Sequence, residues 1–427
     1  MTAAPSRWRS ALSILALSCA LAGLGGAAAG AAPNLSARRA ILVEESTGQV
    51  LYGRNPDQEG AIASTTKLMT ALLVLEHARL GAVFTEPPFY LPPVDSQIQL
   101  RPGERMTVHD LMLAMLLPSA DDAAEDLAFG VGHGSVGRFV GMMNVRARQL
   151  GLTHTHYSTP IGLDTPGNYS SASDLVTLAS FLLTNHQFFA HTVALSIARL
   201  VSGDNQRVIR NRNTLVGQVP WVNGVKTGYT RDAGYALVGS GTQNGMTLIS
   251  AVLGTPDEAS RNADTLAILN YGFASFRLVE PIRAGRVIAR LPVTDQPSVH
   301  AVVVAARTLR QVLPRTQRVA LRLNLPHQLA GPLKQGTVVG SVAVIAGGRP
   351  IARIPLLLAK SLAAVSPLTL AARFLGRPST LAVLVIILLG GGAIVRRNRA
   401  RGRGADGIDR AQGTTPSAPP AEPTEPA

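Results

Sequence analysis

The chain is almost free of cysteine. Its single thiol, Cys19, falls in an N-terminal apolar run that reads as a secretory signal, so the mature chain would hold no disulfide and no cysteine metal ligand. None of the nine histidines has H-E-x-x-H spacing; His77, His109, His133, His154 and His156 are scattered. A zinc peptidase is therefore unsupported, and neither a metal nor a cofactor is expected. Aromatic residues make up 4 % of the chain, and they are not interleaved with basic residues as in single-strand binders. No nucleic-acid partner is expected. Acidic residues are also scarce, 26 against 40 Lys and Arg, for a formal charge of +14. Much of that excess is local, in Arg396, Arg397, Arg399, Arg401 and Arg403, where a membrane flank explains it. No internal repeat is evident.

Two long apolar runs are present. Arg7 and Arg9 precede one from about Ala11 to Leu24, and small residues follow to Ala32. That is the pattern of a cleaved signal over residues 1–32. A retained first helix is the alternative, and the run is short for it. A lipoprotein signal at Cys19 is disfavoured by Ala16, which stands where such signals usually carry Leu. The second run, residues 378–395, is uncharged and is followed at once by the arginines. It reads as one transmembrane helix after a linker over 366–377, with a basic cytoplasmic tail over 396–427. Beyond Gly404 the tail is rich in Pro, Ala, Thr and Glu and is expected to be disordered. Gly390-Gly391-Gly392 weighs against a helix here, and a buried core helix is the alternative.

Between these runs, Ala40–Val43 and Val50–Tyr52 flank Ser46-Thr47-Gly48-Gln49, a β-hairpin signature. The spacing predicts a buried helix from Ser64 to about Ala78, then helices over Val108–Leu117, Ala123–Phe129, Val136–Leu150 and Ala172–Leu183. Strands return at Tyr235–Gly239 and Met246–Val252, with a last helix over Ser260–Phe273. Strands at both ends and helices between imply an α+β domain over 33–275, an antiparallel sheet beside a helical lobe. From residue 276 to 365, Val287–Leu291, Val299–Ala305, Val319–Leu325, Val338–Ile345 and Ile351–Leu358 are short β-prone runs, the mark of a small all-β domain.

Three short motifs carry chemistry. Ser64-Thr65-Thr66-Lys67 opens the first helix, Ser119-Ala120-Asp121 lies about 55 residues on, and Lys226-Thr227-Gly228 about 107 further. Each alone is common; in this order they point to a serine acyl-transfer enzyme. Ser64 occupies a helix N-cap position, which is its ordinary explanation. Lys67, three residues on, shares its face and can reach its oxygen. A lysine there opposes the helix dipole, so this cation needs a reason. Burial and a second cation would lower its pKa and leave an amine able to take the hydroxyl proton. The backbone N–H groups of Ser64 and Tyr229 would hold a developing oxyanion. Val225–Val238 reads as a strand segment able to pair with a peptide. Lys226 and Thr227 would bind a terminal carboxylate, and Gly228 would permit close approach. Ser119, after Pro118, is a helix cap or a proton relay between the lysines and a departing amine.

These residues resemble the low-molecular-mass penicillin-binding proteins, the D-alanyl-D-alanine carboxypeptidases. The likeness extends to Ala63–Ala71, Ser119–Ala124, Thr159–Asp164, Asn223–Thr230 and Ala233-Gly234-Tyr235. It covers about Arg38 to Phe276, and more weakly the β domain around Pro332–Val344. The resemblance implies a penicillin-binding, β-lactamase-like transpeptidase fold. It implies removal of the terminal D-alanine from peptidoglycan stem peptides, inhibition by β-lactams, and a place in the bacterial cytoplasmic membrane with the catalytic domain outside. Ser64 would be the acylated nucleophile, Lys67 its base, Ser119 a proton carrier, and Lys226 and Thr227 the carboxylate site. Arg261 matches a family arginine that assists the carboxylate. Asp121 departs from the usual Asn: an ionised carboxylate can only accept, and its charge favours protonated Lys67. A class A β-lactamase would need a deacylating acid, for which Asp164 is the nearest candidate and reads better as a turn residue. D,D-endopeptidase cleavage and a non-hydrolytic β-lactam or wall-binding sensor remain as alternatives. The sequence does not fix an oligomeric state.

Overall fold

The structure, a computed structural model, describes residues 31–88 and 96–402. The expected signal segment with Cys19 and the tail beyond 402 lie outside those residues, residues 31 and 32 excepted. The chain forms two compact units.

The first unit opens with the expected hairpin, β1 (Arg39–Glu44) and β2 (Val50–Arg54). The Glu44 carboxylate clips its turn by accepting from Ser46 Oγ at 2.9 Å and Thr47 Oγ1 at 2.7 Å. A 3₁₀ turn, Ala63–Thr66, leads into α1 (Lys67–His77), so the regular helix starts at Lys67 rather than Ser64. A short hairpin, β3 (Val83–Thr85) and β4 (Arg105–Thr107), precedes α2 (Val108–Leu116). Helices α3 (Asp121–Val131), α4 (Val136–Gln149), α5 (Ala172–Asn185) and α6 (Gln187–Val193) follow. Thr107, Ser135 and Ser171 cap α2, α4 and α5 by accepting from the N–H three residues on. A second small hairpin, β5 (Ile197–Leu200) and β6 (Arg207–Arg210), comes next. Then β7 (Val222–Thr230), β8 (Gly234–Gln243), β9 (Met246–Thr255) and α7 (Glu258–Ser275) complete this part. The segment Val225–Val238 is thus two strands of a tight hairpin, with Gly234 at φ +66 beside the turn.

The strands form one antiparallel sheet in the order β2-β1-β9-β8-β7. Its closure pairs β1 with β9, more than 200 residues apart in sequence, as in Ile41 opposite Ala251. Side chains alternate across the sheet. Ile41, Ile249 and Ala251 join the helical lobe, packed with Leu68, Leu72, Leu111, Met115 and Leu127. Leu42, Leu248 and Val252 face the other way, onto Ile268, Leu269 and Phe273 of α7. Both faces are covered, which is why these strands read as continuous apolar runs.

The later segment is β-rich, as expected. It contains β10 (Phe276–Ile282), β11 (Val287–Val293), β12 (Gln296–Ala305), β13 (Leu309–Pro314), β14 (Val319–Asn324), β15 (Val338–Ala346) and β16 (Arg349–Leu358). Five of them form a sheet in the order β11-β12-β16-β15-β14, and β10 pairs with β13. The sequence pattern missed β10 and β13 because Arg277, Glu280 and Pro281, and then Arg310 and Gln311, interrupt their apolar content. A nine-residue helix, α8 (Pro367–Leu375), occupies most of the predicted linker. It is followed by α9 (Pro378–Gly402), which runs through the glycine triplet. Within it Pro378–Arg399 is long and apolar enough to cross a membrane, and none of it is buried in the protein.

Candidate active site

The three motifs meet at one cavity of about 500 Å³, lined among others by Ser64, Ser119, Asp121, Thr227, Gly228, Tyr229 and Arg261. Ser64 lies in the 3₁₀ turn at the head of α1, and Lys67 is the first residue of the helix proper. Lys67 is fully buried. Its Nζ lies 3.0 Å from Ser64 Oγ, 2.6 Å from Asp121 Oδ1 and 2.7 Å from the Ile161 carbonyl oxygen. A neutral amine has two N–H bonds and one lone pair. It would donate to Asp121 and Ile161 and accept from the Ser64 hydroxyl, a complete fit. Burial holds Lys67 below its ordinary pKa; Asp121 opposes this, and Arg212 adds to it.

Asp121 begins α3, and its second oxygen accepts from the Ser96 N–H at 3.1 Å. The Asp121 N–H donates back to the Ser96 carbonyl at 2.6 Å. The carboxylate is thus aimed at Lys67 by a two-way backbone clasp. Ser119 sits between α2 and α3 at φ +69, an uncommon backbone state for a residue with a side chain. Its Oγ is buried and has no hydrogen-bond partner among the described residues. Strain and an unsatisfied hydroxyl at a cavity wall are what a site awaiting a ligand leaves behind.

β7 is the outer strand of the sheet, so one side of its backbone is not paired within that sheet. Lys226 is buried, and its Nζ donates to the Thr227 carbonyl at 3.1 Å. Burial, then the nearby charges of Lys67 and Arg212, press its pKa well below the ordinary value. Gly228 has a packing reason as well. A β-carbon there would lie 3.0 Å from Ser64 N and 3.0 Å from Ala63 Cβ, so a side chain would push β7 off the serine turn. Tyr229 is 57 % exposed and packs on Tyr235 in a tilted arrangement, with ring centroids 4.3 Å apart. Arg261, on α7, is nearly buried and donates to Glu258 at 2.8 Å.

All the residues proposed from the sequence line the cavity, except Lys67 and Lys226, which lie buried behind its wall. Asp164 is placed elsewhere and accepts from the Asp232 N–H at 3.2 Å, a loop contact in keeping with a turn residue. Sequence reasoning missed Arg212, Ser96 and the Ile161 carbonyl. Arg212 lines the cavity, tethered by its N–H to the Leu117 carbonyl at 3.0 Å. The available clue was the stretch Arg210-Asn211-Arg212-Asn213-Thr214, polar beyond what a connecting loop needs. Gly162, at φ +93, lets the Ile161 carbonyl reach the lysine, since a β-carbon there would run into the Ala63 carbonyl oxygen. Among the described residues, no group of three or more His, Cys, Asp or Glu is arranged to hold a metal ion.

A serine–lysine pair at the head of a buried helix, beside an edge strand carrying Lys-Thr-Gly, defines the penicillin-binding, β-lactamase-like transpeptidase fold. Residues 27–257 match the D-alanyl-D-alanine carboxypeptidase family, and the chain belongs to it. Residues 276–364 match the C-terminal domain of penicillin-binding protein 5. The chain is 32 % identical over 345 residues to the D-alanyl-D-alanine carboxypeptidase DacC of Escherichia coli, covering 76 % of this chain and 84 % of that one. It is 29 % identical to DacF of Bacillus subtilis, covering 75 % and 84 %. Among solved structures, penicillin binding protein 5 of Haemophilus influenzae superposes with a TM-score of 0.64 at 29 % identity, over 78 % of this chain and 98 % of that one. The Streptomyces DD-transpeptidase gives 0.54 at 34 % identity, over 57 % and 98 %.

Proposed function

We propose that this protein is a serine D-Ala-D-Ala carboxypeptidase acting on peptidoglycan stem pentapeptides, and a target of β-lactams. The observation that carries the reading is the buried Lys67 amine within 3.0 Å of Ser64 Oγ, beside a cavity lined by Ser119, Thr227, Arg212 and Arg261. The peptide pairs along the free edge of β7. Its terminal carboxylate meets Thr227, Arg261 and Arg212, with the buried charge of Lys226 behind them. Ser64 Oγ attacks the penultimate carbonyl carbon while its proton passes to Lys67. The oxyanion is held by the N–H groups of Ser64 and Tyr229. The C–N bond then breaks, the leaving D-alanine amine takes a proton by way of Ser119, and the acyl chain stays on Ser64 as an ester. Water adds to that ester with Lys67 again as base, and Ser64 recovers its proton.

The same reading gives residues 1–32 as a cleaved signal, 33–275 as the peptidase, 276–365 as a membrane-proximal β domain and 378–395 as a single-pass anchor. The enzyme then faces the outer side of the bacterial cytoplasmic membrane, with residues 396–427 inside. The match to a penicillin-binding protein C-terminal domain and the apolar helix Pro378–Arg399 support it.

The test is D-alanine release from a synthetic pentapeptide ending in D-Ala-D-Ala, with fluorescent penicillin labelling alongside. Release and labelling that both vanish in Ser64→Ala are expected. Labelling without release would favour a sensor or an endopeptidase, and loss of neither would remove Ser64 from the mechanism.

A further inference from the structure

The Lys67–Asp121 pair has a second acid behind it. Glu125 follows Asp121 by one helical turn on α3, so the two carboxylates share a face of that helix. Asp121 is spent on Lys67 Nζ and the Ser96 N–H. Glu125 is half-buried and accepts no hydrogen bond from any described residue. Burying a carboxylate costs free energy that neighbouring charges raise or lower. Two groups act on it: Asp121 of its own helix and Lys67 of α1. The charged groups of α2 (His109, Asp110) and α4 (Arg138, Arg146, Arg148) are not among them, while Glu86, after β3, feels Glu125 in turn.

We infer that Glu125 is a positioning residue for the proton on Lys67: its charge stabilises the ammonium and holds back formation of the amine that activates Ser64. The inference rests on the proposed role of Lys67 as base. Burial first, then the charge of Asp121, raise the Glu125 carboxyl to about 7, with Lys67 opposing. Lys67 in turn counts Glu125 among the charges that raise its own pKa. Glu125 is thus mainly ionised above about pH 7. Asp121 acts in contact and Glu125 from one turn away, so the two effects add in sign and differ in size.

The sign makes the test unusual: removing the acid accelerates the reaction. In the full chain in detergent, the second-order rate of Ser64 acylation by fluorescent penicillin is followed against pH. For Glu125→Gln the acid limb is expected to move down by about half a pH unit, which is roughly a threefold gain in rate along that limb. Glu125→Asp, which keeps a charge, is expected to move back toward the parent profile. Glu76→Gln, an acid on the far end of α1 paired with Arg146, is expected to leave it unchanged. A Glu125→Gln profile that superimposes on the parent, or one that is uniformly lowered without a shift, overturns the inference. A parent that takes no Ser64-dependent label overturns it together with the functional reading, so the two failures are told apart by the parent alone.

Discussion

Asp121 is the residue at which this site departs most from the pattern its motifs set, and its contacts say what the departure does. Its Oδ1 takes a hydrogen from Lys67 at 2.6 Å, as an amide oxygen would. The other oxygen accepts from a backbone N–H, a position an amide NH₂ could not fill without turning away. The acid is therefore fitted to its clasp with Ser96 and tolerated by the lysine. A carboxylate in contact raises the pKa of a cation by about 1–3 units. Asp121→Asn is expected to move the acid limb of acylation down by about one unit or more, with some loss of stability from the broken Ser96 contact. Superimposable pH profiles for the two proteins would mean that the Asp121 side chain does not govern the proton on Lys67. Ser64, Ser119, Thr227 and Arg261, which line the cavity, and the buried Lys67 and Lys226 could be singled out in the sequence because each stands in a string that the family resemblance marks. The Ile161 carbonyl was not legible, since any residue has one, and only the fold shows which one points at Lys67. Arg212 was missed because it lies in a polar loop, and a loop arginine is ordinarily solvated.

At the scale of elements, the site depends on one loop being seated against one turn. The loop after Tyr157 is tied to α1 by Thr70 Oγ1 donating to the Pro160 carbonyl at 2.6 Å and by Asn168 Nδ2 donating to Thr66 Oγ1 at 3.2 Å. Gly162 makes the closest approach, at φ +93 against the Ala63 carbonyl and 2.8 Å from Thr66 Oγ1 at the built β-carbon. Gly162→Ala adds left-handed strain of about 1–2 kcal/mol to a steric overlap. It is expected to destabilise the protein by about 2 kcal/mol or more and to slow Ser64 labelling at least about tenfold; unchanged labelling would show that the loop can withdraw without disturbing the lysine. A second element-level effect concerns Glu86, beyond β3, which is almost fully buried, its Oε2 without a hydrogen-bond partner among the described residues. Burial first, then Asp126 and Asp122, raise its carboxyl from 4.5 to about 9. The folded state therefore binds a proton that the unfolded state releases. Its stabilising share is complete below about 4.5 and is lost as the pH rises through about 9. Glu86→Gln should flatten the fall of Tm between pH 5 and 9 by a few degrees, at about 2–4 °C per kcal/mol in a domain of this size. Parallel Tm curves would place that proton elsewhere. The long periodic helices and the apolar strands were readable because both faces of the sheet are covered. The seven-residue α6 and the polar-interrupted β10 and β13 were not, because their pairing partners and not their own patterns define them.

For the whole molecule, the question is which side of a membrane holds the chemistry. Pro378–Arg399 spans 22 residues, about 33 Å as a helix, which matches a hydrocarbon core of about 30 Å. The glycine triplet that weakened the sequence reading lies within this helix, where glycine is more common in spanning segments than in soluble ones. Arg396, Arg397 and Arg399 form its C-terminal end and Arg401 and Arg403 follow, while residues 378–395 carry no charge. In the orientation proposed above, which the positive-inside rule favours, the arginines are cytoplasmic and the cavity lies outside. A chain ended at Arg377 should leave the membrane fraction and keep its turnover of a soluble pentapeptide within about twofold, since every cavity-lining residue falls between Ser64 and Arg261. Orientation can be read directly because the chain beyond the expected signal has no cysteine of its own. A single cysteine placed at the exposed Asn205 should react with a membrane-impermeant maleimide in intact spheroplasts. One placed at Ser417 should react only after the membrane is opened. The reverse pattern would put the cavity on the cytoplasmic side, away from any cell-wall peptide, and so would overturn the substrate as well as the topology.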